Sequence, residues 1–185
     1  MKLVCSKANL LNGVQTVSKA VPSKTTMSIL ECILVDTTNG EIKLTANDME
    51  LGIETKVEGS ILSRGKIALD AKLLSEIIRK LSGGESDITI ESDDKYNTTI
   101  TCDNSVFHIQ GKNGDEFSYL PFIEKDHFIC LSQFTLKEVI RQTLFSISVN
   151  DSNKMMTGEL FQVTDNELKV VSLDGHRMSI RKVEL

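Results

Sequence analysis

The sequence has no run of about 18 apolar residues, the least that crosses a bilayer as a helix, so no membrane span is predicted. The opening MKLVCSKANL lacks the long apolar core and cleavage site of a secretory signal, and a cytoplasmic location is expected. Only 2 prolines occur in 185 residues, with no low-complexity tract, which argues against disorder. The 4 cysteines, Cys5, Cys32, Cys102 and Cys130, form no C-x-x-C and sit in or beside apolar runs. They read as small buried hydrophobes in a reducing compartment, not as disulfides or metal ligands. His108, His127 and His176 are far apart, and no mixed Cys/His cluster occurs, so no metal site is expected. G-x-S-x-G, Walker and G-x-G-x-x-G signatures are missing, and no catalytic residue or cofactor is assigned. The composition that remains, 40% apolar and 25% charged with net charge −5, is that of a globular chain.

What the sequence does have is repetition. Residues 2–6 read as a strand, followed by a helical stripe of Leu10, Leu11, Val14, Val17 and Val21 and strands at 29–37, 41–46 and 49–58. Asn39-Gly40 is a hairpin signal between the first two. The pattern restarts with a strand at 66–69 and a helix capped by Asp70. That helix carries Leu73, Leu74, Ile77, Ile78 and Leu81 and is closed by Gly83-Gly84. Strands follow at 87–92, 97–102 and 105–111, and 112–126 reads as a linker. A third start predicts a strand at 127–132, a Thr135-x-x-Glu138 capping box, and a helix carrying Leu136, Val139, Ile140, Thr143 and Leu144. Strands at 158–164, 167–173 and 177–183 complete it.

The order is therefore β-α-β-β-β three times: an α+β chain of repeated units, with helices on one face of antiparallel sheets. Each copy ends in two alternating strands joined by an Asp-containing turn, at Asp48, Asp103 and Asp174. One unit buries too little surface to stand alone. Three units predict one complete domain, 1–126 with its linker, and half of another, 127–185. An orphan half is expected in a fragment, or in a chain that borrows its missing half, and its exposed sheet edge favours self-association.

Charge is divided along the chain. Residues 1–30 carry +4, residues 61–84 +3 and residues 132–154 +1; these segments hold the helices, and everything else sums to −13. On helical wheels Lys19 lies opposite the first apolar stripe, and Lys72 and Arg79 opposite the second, sharing their face with Glu76. Lys137 and Arg141 flank the third stripe. A mildly basic, helix-lined surface attracts phosphate without reading sequence. No aromatic stripe supports base stacking.

Four segments carry a family resemblance. MKLVCSKANLLNGVQTVSKAVPSKTTMSIL, LTANDMELGIETKV, FSYLPFIE and LKVVSLDGHRMSI, in this order, resemble the bacterial sliding clamp, the beta subunit of DNA polymerase III. The resemblance implies the DNA-clamp (processivity) fold: six such units per full chain, two per domain, and two chains closing a ring whose helices line a hole around duplex DNA. Ser28 stands where family members commonly have Pro in a T-x-P-I-L run, and Lys154 where they often place an Arg-bearing loop.

The resemblance implies a non-catalytic processivity factor that tethers the replicative polymerase. Its implied partners are double-stranded DNA and, through short peptides, the polymerase III catalytic subunit and the clamp loader. It assigns DNA contact to Lys24, then Lys19, Lys72, Arg79 and Arg141. It assigns a partner-peptide pocket to Met156, Leu173, Gly175, His176, Arg177 and Met178, whose apolar walls would receive apolar anchors. A hydrolase reading fails because Asp174 and His176, two residues apart on a tight turn, cannot hold an orienter–base geometry. The alternative is a clamp-fold interaction scaffold that does not encircle DNA.

Overall fold

The computed structural model describes residues 1–81, 86–118, 120, 126, 128–149 and 153–185. The chain divides into two compact units, Met1–Pro121 and Phe122–Leu185. Among the described residues no helix is long and apolar enough to cross a membrane.

The first unit opens with β1 (Lys2–Ser6) and α1 (Lys7–Val17). Ser6 starts the helix: its Oγ accepts the Asn9 N–H at 3.2 Å, satisfying one of the free donors of the first turn. Leu10, Val14 and Val17 recur at helical spacing and are buried. A 3-10 turn at Ser18–Ala20 ends the helix, and Val21 is extended, as the residue before a proline prefers. Then β2 (Cys32–Asp36), β3 (Ile42–Asn47) and β4 (Gly52–Val57) form an antiparallel meander. Gly40, at φ +83°, makes the expected turn between β2 and β3. A strand that the sequence pattern did not reveal, β5 (Gly59–Ser63), follows and pairs with β1.

The second half repeats this order with β6 (Lys66–Asp70), α2 (Ala71–Lys80), β7 (Asp87–Ser92), β8 (Asn97–Cys102), β9 (Ser105–Gln110) and the short β10 (Lys112–Asn113). Asp70 caps α2, accepting the Leu73 N–H at 2.7 Å. The Gly83-Gly84 helix stop lies outside the described residues.

The halves are interlocked. The sheets are five-stranded, ordered β5-β1-β7-β8-β9 and β10-β6-β2-β3-β4. Each leading strand joins the other half's meander: β1 lies antiparallel to β7, with Cys5 opposite Ile88, and β6 lies antiparallel to β2, with Leu69 opposite Ile33. One core therefore takes Leu3, Ile88 and Ile90 from one sheet, Ile33, Val35 and Leu69 from the other, and Leu10, Val14, Leu74 and Ile78 from the helices. The exchange was not legible as pattern, because pairing partners lie far apart in sequence.

Two expectations for this unit change. Leu73 is 42% exposed rather than on the buried stripe, which runs through Leu74, Ile77 and Ile78. Residues 112–118 are not a linker: β10 extends the second sheet, and Phe117 is buried with Cys32, Leu34 and Ala68 on that sheet's outer face. The apolar payload of one Phe outweighs the polar composition around it. Of the expected linker's other described positions, Leu120 belongs to this unit and Asp126 to the second.

The second unit holds α3 (Gln133–Thr143) and a meander of β11 (Leu160–Val163), β12 (Glu167–Leu173) and β13 (Met178–Glu184). Its helix begins one turn before the expected capping box. Ser132 is the cap, accepting the Thr135 N–H at 3.0 Å, while Glu138 pairs with Arg141 instead. Ser132 is thus the counterpart of Ser6 and Asp70. Residues 128–132 form no strand, although one was expected over 127–132. The physical reason is visible in the first unit, where a leading strand finds its partner in the other half's meander. Cys130 in this segment is exposed, against the expectation that all four cysteines are buried; Cys5, Cys32 and Cys102 are buried.

Candidate functional site

Lys72 and Arg79, seven residues apart on α2, share one helix face. With Ser18, Val21, Ala71, Ser75 and Glu76 they line a groove of about 390 Å³ between the end of α1 and α2. Lys19 is exposed in the 3-10 turn beside Ser18, and Lys24 is exposed in the loop that follows. Among the described residues none of these four cations makes an ion pair. Strand-borne lysines do: Lys2 with Glu91, Lys43 with Glu54 and Lys56 with Glu41, at 2.7–2.9 Å. In this unit, then, the helix-side cations stay uncommitted while these sheet-side ones are neutralised locally. Ser18 and Ser75, which the sequence reading did not single out, add hydroxyls to the groove; their spacing within the chain gave no signal.

Arg141 differs from the other assigned cations. Its Nε and Nη2 donate to the two carboxylate oxygens of Glu138 at 3.0 and 2.7 Å. The Arg141 hydrogen bond, then its charge, hold the Glu138 carboxyl below the usual range, and the same contact raises Arg141. Its charge is compensated on its own helix, although both side chains are solvent-facing and the pair is worth little.

The β12–β13 turn brings together five of the six residues assigned to a partner pocket: Leu173, Gly175, His176, Arg177 and Met178 line a cleft of about 330 Å³. Asp174 organises it. Its Oδ1 accepts the N–H groups of His176 and Arg177, each at 3.0 Å, and Arg177 Nε donates to Oδ2 at 2.9 Å. The His176 N–H first, then the Arg177 contacts, hold this carboxyl below the ordinary aspartate value. Both oxygens are engaged by the turn, so Asp174 orients no imidazole. Met156 is not part of this cleft's lining; it is half-buried, and its carbonyl accepts the Ser148 N–H at 2.8 Å.

A polar network that the sequence reading missed braces this hairpin. Ser146 and Ser179 hydroxyls meet at 2.6 Å, Ser172 Oγ donates to the Thr143 carbonyl at 2.5 Å, and Thr143 Oγ1 donates to Glu159 at 2.7 Å. These bonds tie the C-terminal turn of α3 to β12 and β13, one residue from Met178. The sequence pattern places Thr143 on the apolar stripe; its buried position is legible there and its bonding is not.

The description "DNA polymerase III beta subunit, N-terminal domain" matches residues 1–121, and that of the central domain matches residues 130–185. The chain belongs to the DNA polymerase III beta subunit family. The beta sliding clamp of Halalkalibacterium halodurans is 37% identical over 99% of this chain and 50% of its own length. That of Bacillus subtilis is 35% identical over 100% and 50%. The solved Bacillus subtilis sliding clamp superposes at a TM-score of 0.93 with 33% identity, covering 100% of this chain and 50% of that one. A solved protein from Eubacterium rectale, provisionally described as a DNA polymerase III beta subunit, is 64% identical at a TM-score of 0.95 over the same shares. The fold is thus the clamp fold, and the chain spans about half the length of the curated relatives it matches.

Proposed function

We propose that this chain is half of a DNA sliding clamp: residues 1–121 the first clamp domain, and 122–185 the connector's end with half of the second. Its role is mechanical and non-catalytic, needs no cofactor, and is exercised in the cytoplasm by two full-length chains closed into a ring. The observation that carries the reading is the division of charge. Among the described residues Lys19, Lys72 and Arg79 on the helix side, with Lys24 in the loop beyond, make no ion pair, whereas the strand-borne Lys2, Lys43 and Lys56 are paired. Sliding needs attraction to phosphate that is independent of sequence and locks into no register, and long flexible cations supply it. Lys24, Lys19, Lys72 and Arg79 contact duplex phosphates in this reading. Arg141 contributes less, because Glu138 shares its charge.

The cleft of Leu173, Gly175, His176, Arg177 and Met178 receives a short peptide of the polymerase catalytic subunit or the clamp loader. The apolar side chains take its anchors, and His176 and Arg177 its polar groups. A topologically linked polymerase then rebinds rather than diffusing away, so processivity comes from effective concentration.

The test is a hybrid in which this chain replaces the first half of the Eubacterium rectale protein. Loaded hybrid should stay on closed circular duplex and be lost from linearised duplex. Equal retention on both would instead mark a scaffold that does not encircle DNA.

A further inference from the structure

The hairpin turns built on Asp48 and Asp174 are the same turn with different closing pairs. In each, the aspartate N–H donates to the carbonyl three residues on, Asp48 to Leu51 at 3.0 Å and Asp174 to Arg177 at 3.2 Å. The strands close on Asn47 opposite Gly52 in the first unit and on Leu173 opposite Met178 in the second. Leu173 and Met178 border an open cleft. Asn47 and Gly52 are instead covered by their own chain. A Cβ on Gly52 would collide with Leu120 Cδ2 and stand 3.0 Å from its Cγ and 3.1 Å from its Cδ1. The Leu120 isobutyl group thus fills the place of a side chain at position 52. Gly52 lies in β4 without a positive φ, so its backbone does not call for glycine; the close approach of Leu120 does. Asn47 is 3% exposed. Its Nδ2 donates to the Ser118 carbonyl at 2.7 Å, and its Oδ1 accepts the Met49 N–H at 3.3 Å. The first turn therefore carries a buried amide matched to the backbone of a covering segment, and the second carries an apolar side chain in the same place.

We propose, on the reading of the β12–β13 cleft as a peptide site, that the first unit's turn is a second seat for an apolar anchor, held shut by this chain's own connector. Leu120 is the anchor, and Ser118 gives its carbonyl to Asn47. Phe117, buried with Cys32, Leu34 and Ala68, ties the segment down three residues before Leu120. An anchor tethered this closely rebinds at an effective concentration that a free peptide does not match. Both units carry the turn, but only the second offers it to an outside peptide. The occupied seat also shows the ligand class: one branched aliphatic side chain, with a backbone carbonyl two residues before it.

The probe is N-acetyl-leucine amide, and the readout is the amide NMR signals of the 185-residue chain. Leu120→Ala removes Cγ, Cδ1 and Cδ2 from the seat, and Leu120 is in none of the buried clusters, so the core does not depend on it. In this variant the probe at millimolar concentration should shift the Asn47 and Gly52 signals saturably. In the unaltered chain it should leave them in place. Gly52→Leu combined with Leu120→Ala refills the seat from residue 52 and should abolish the shift. Gly52→Ala alone should expel Leu120 and speed chymotryptic cleavage between residues 117 and 120 at least tenfold. No shift in Leu120→Ala, a shift in the unaltered chain, a shift that survives Gly52→Leu, or unchanged cleavage of Gly52→Ala overturns the proposal. The Leu173 and Met178 signals report the other cleft separately. A probe that never moves them counts against the peptide reading of that cleft, while the seat is still decided at Asn47 and Gly52.

Discussion

Met49 and Gly175 occupy the same position of the same turn, at φ +76° and +84°. Each follows an aspartate whose Oδ1 accepts the N–H groups two and three residues on: Asp48 from Glu50 and Leu51, Asp174 from His176 and Arg177. The turn requires left-handed backbone, which glycine adopts freely and a side chain resists. Met49→Gly should therefore raise the stability of the first unit by about 0.5–1 kcal/mol in urea titrations. A Cβ at Gly175 meets nothing within 4 Å, so Gly175→Ala should cost only its backbone strain, about 1 kcal/mol.

The uncommitted helix cations predict a graded response to charge reversal. Lys72→Glu with Arg79→Glu should lower duplex affinity and reduce the magnitude of the log-affinity against log-salt slope by about 2, near one unit per lost phosphate contact. Arg141→Glu should change that slope less, because Glu138 already compensates the charge. Anisotropy of a labelled duplex across a salt series measures both, and equal slopes would remove the distinction.

Met178 is 61% exposed at the mouth of the β12–β13 cleft. Met178→Lys should weaken binding of a clamp-directed peptide with apolar anchors at least tenfold, about 1.4 kcal/mol, by calorimetry. Unfolding curves should be unchanged, since the side chain supports no core. Unaltered affinity would place the anchor elsewhere.

Acid should loosen that cleft through Asp174. Its folded-state pKa is depressed, so its stabilising contribution is fully present above the unfolded aspartate value of about 3.9. It is lost as pH falls through the lower folded value. The backbone amide signals of His176 and Arg177 should report this titration in NMR spectra. Asp174→Asn should abolish the acid-side inflection, and an inflection that persists would assign the titration to another group.

Thiol chemistry should single out Cys130. Burial, aided by the charge of Asp87, pushes the Cys5 thiol up to about 12, and burial also raises Cys32 and Cys102. Cys130 alone is exposed. Brief alkylation of the folded chain should add one adduct by mass, at residue 130, and four only after unfolding.

Local signals were the legible ones. Asp70 was readable as the cap of a helix whose stripe follows at once, and Asp48 and Asp174 were readable as equivalents because each shapes its own turn. Asp103 only looked equivalent: at φ +48° it is itself the left-handed residue, and its carboxylate accepts from Ser86. At the third helix the sequence pointed to Thr135 as the cap, and the structure gives that place to Ser132, three residues earlier. β5 and β10 escaped because their order comes from β1 and β6, not from their own alternation. The cleft was foreseeable from its turn and its family resemblance. The groove of Lys72 and Arg79 needed the packing of α1 on α2 before Ser18 and Ser75 could join it.

The interlocking of leading strands also has a consequence in time. Lys2 is made well before Glu91, the residue it lies opposite. At about 5–20 residues per second, β1 waits roughly 4–18 s after synthesis before its partner strand exists. During that interval Leu3 and Cys5 are bare apolar groups on a nascent chain, and the slow step of folding is the late capture of the earliest strand. Non-local pairing of this kind sets folding speed by topology, so the first unit is expected to fold late and all at once, after its last strand has emerged from the ribosome.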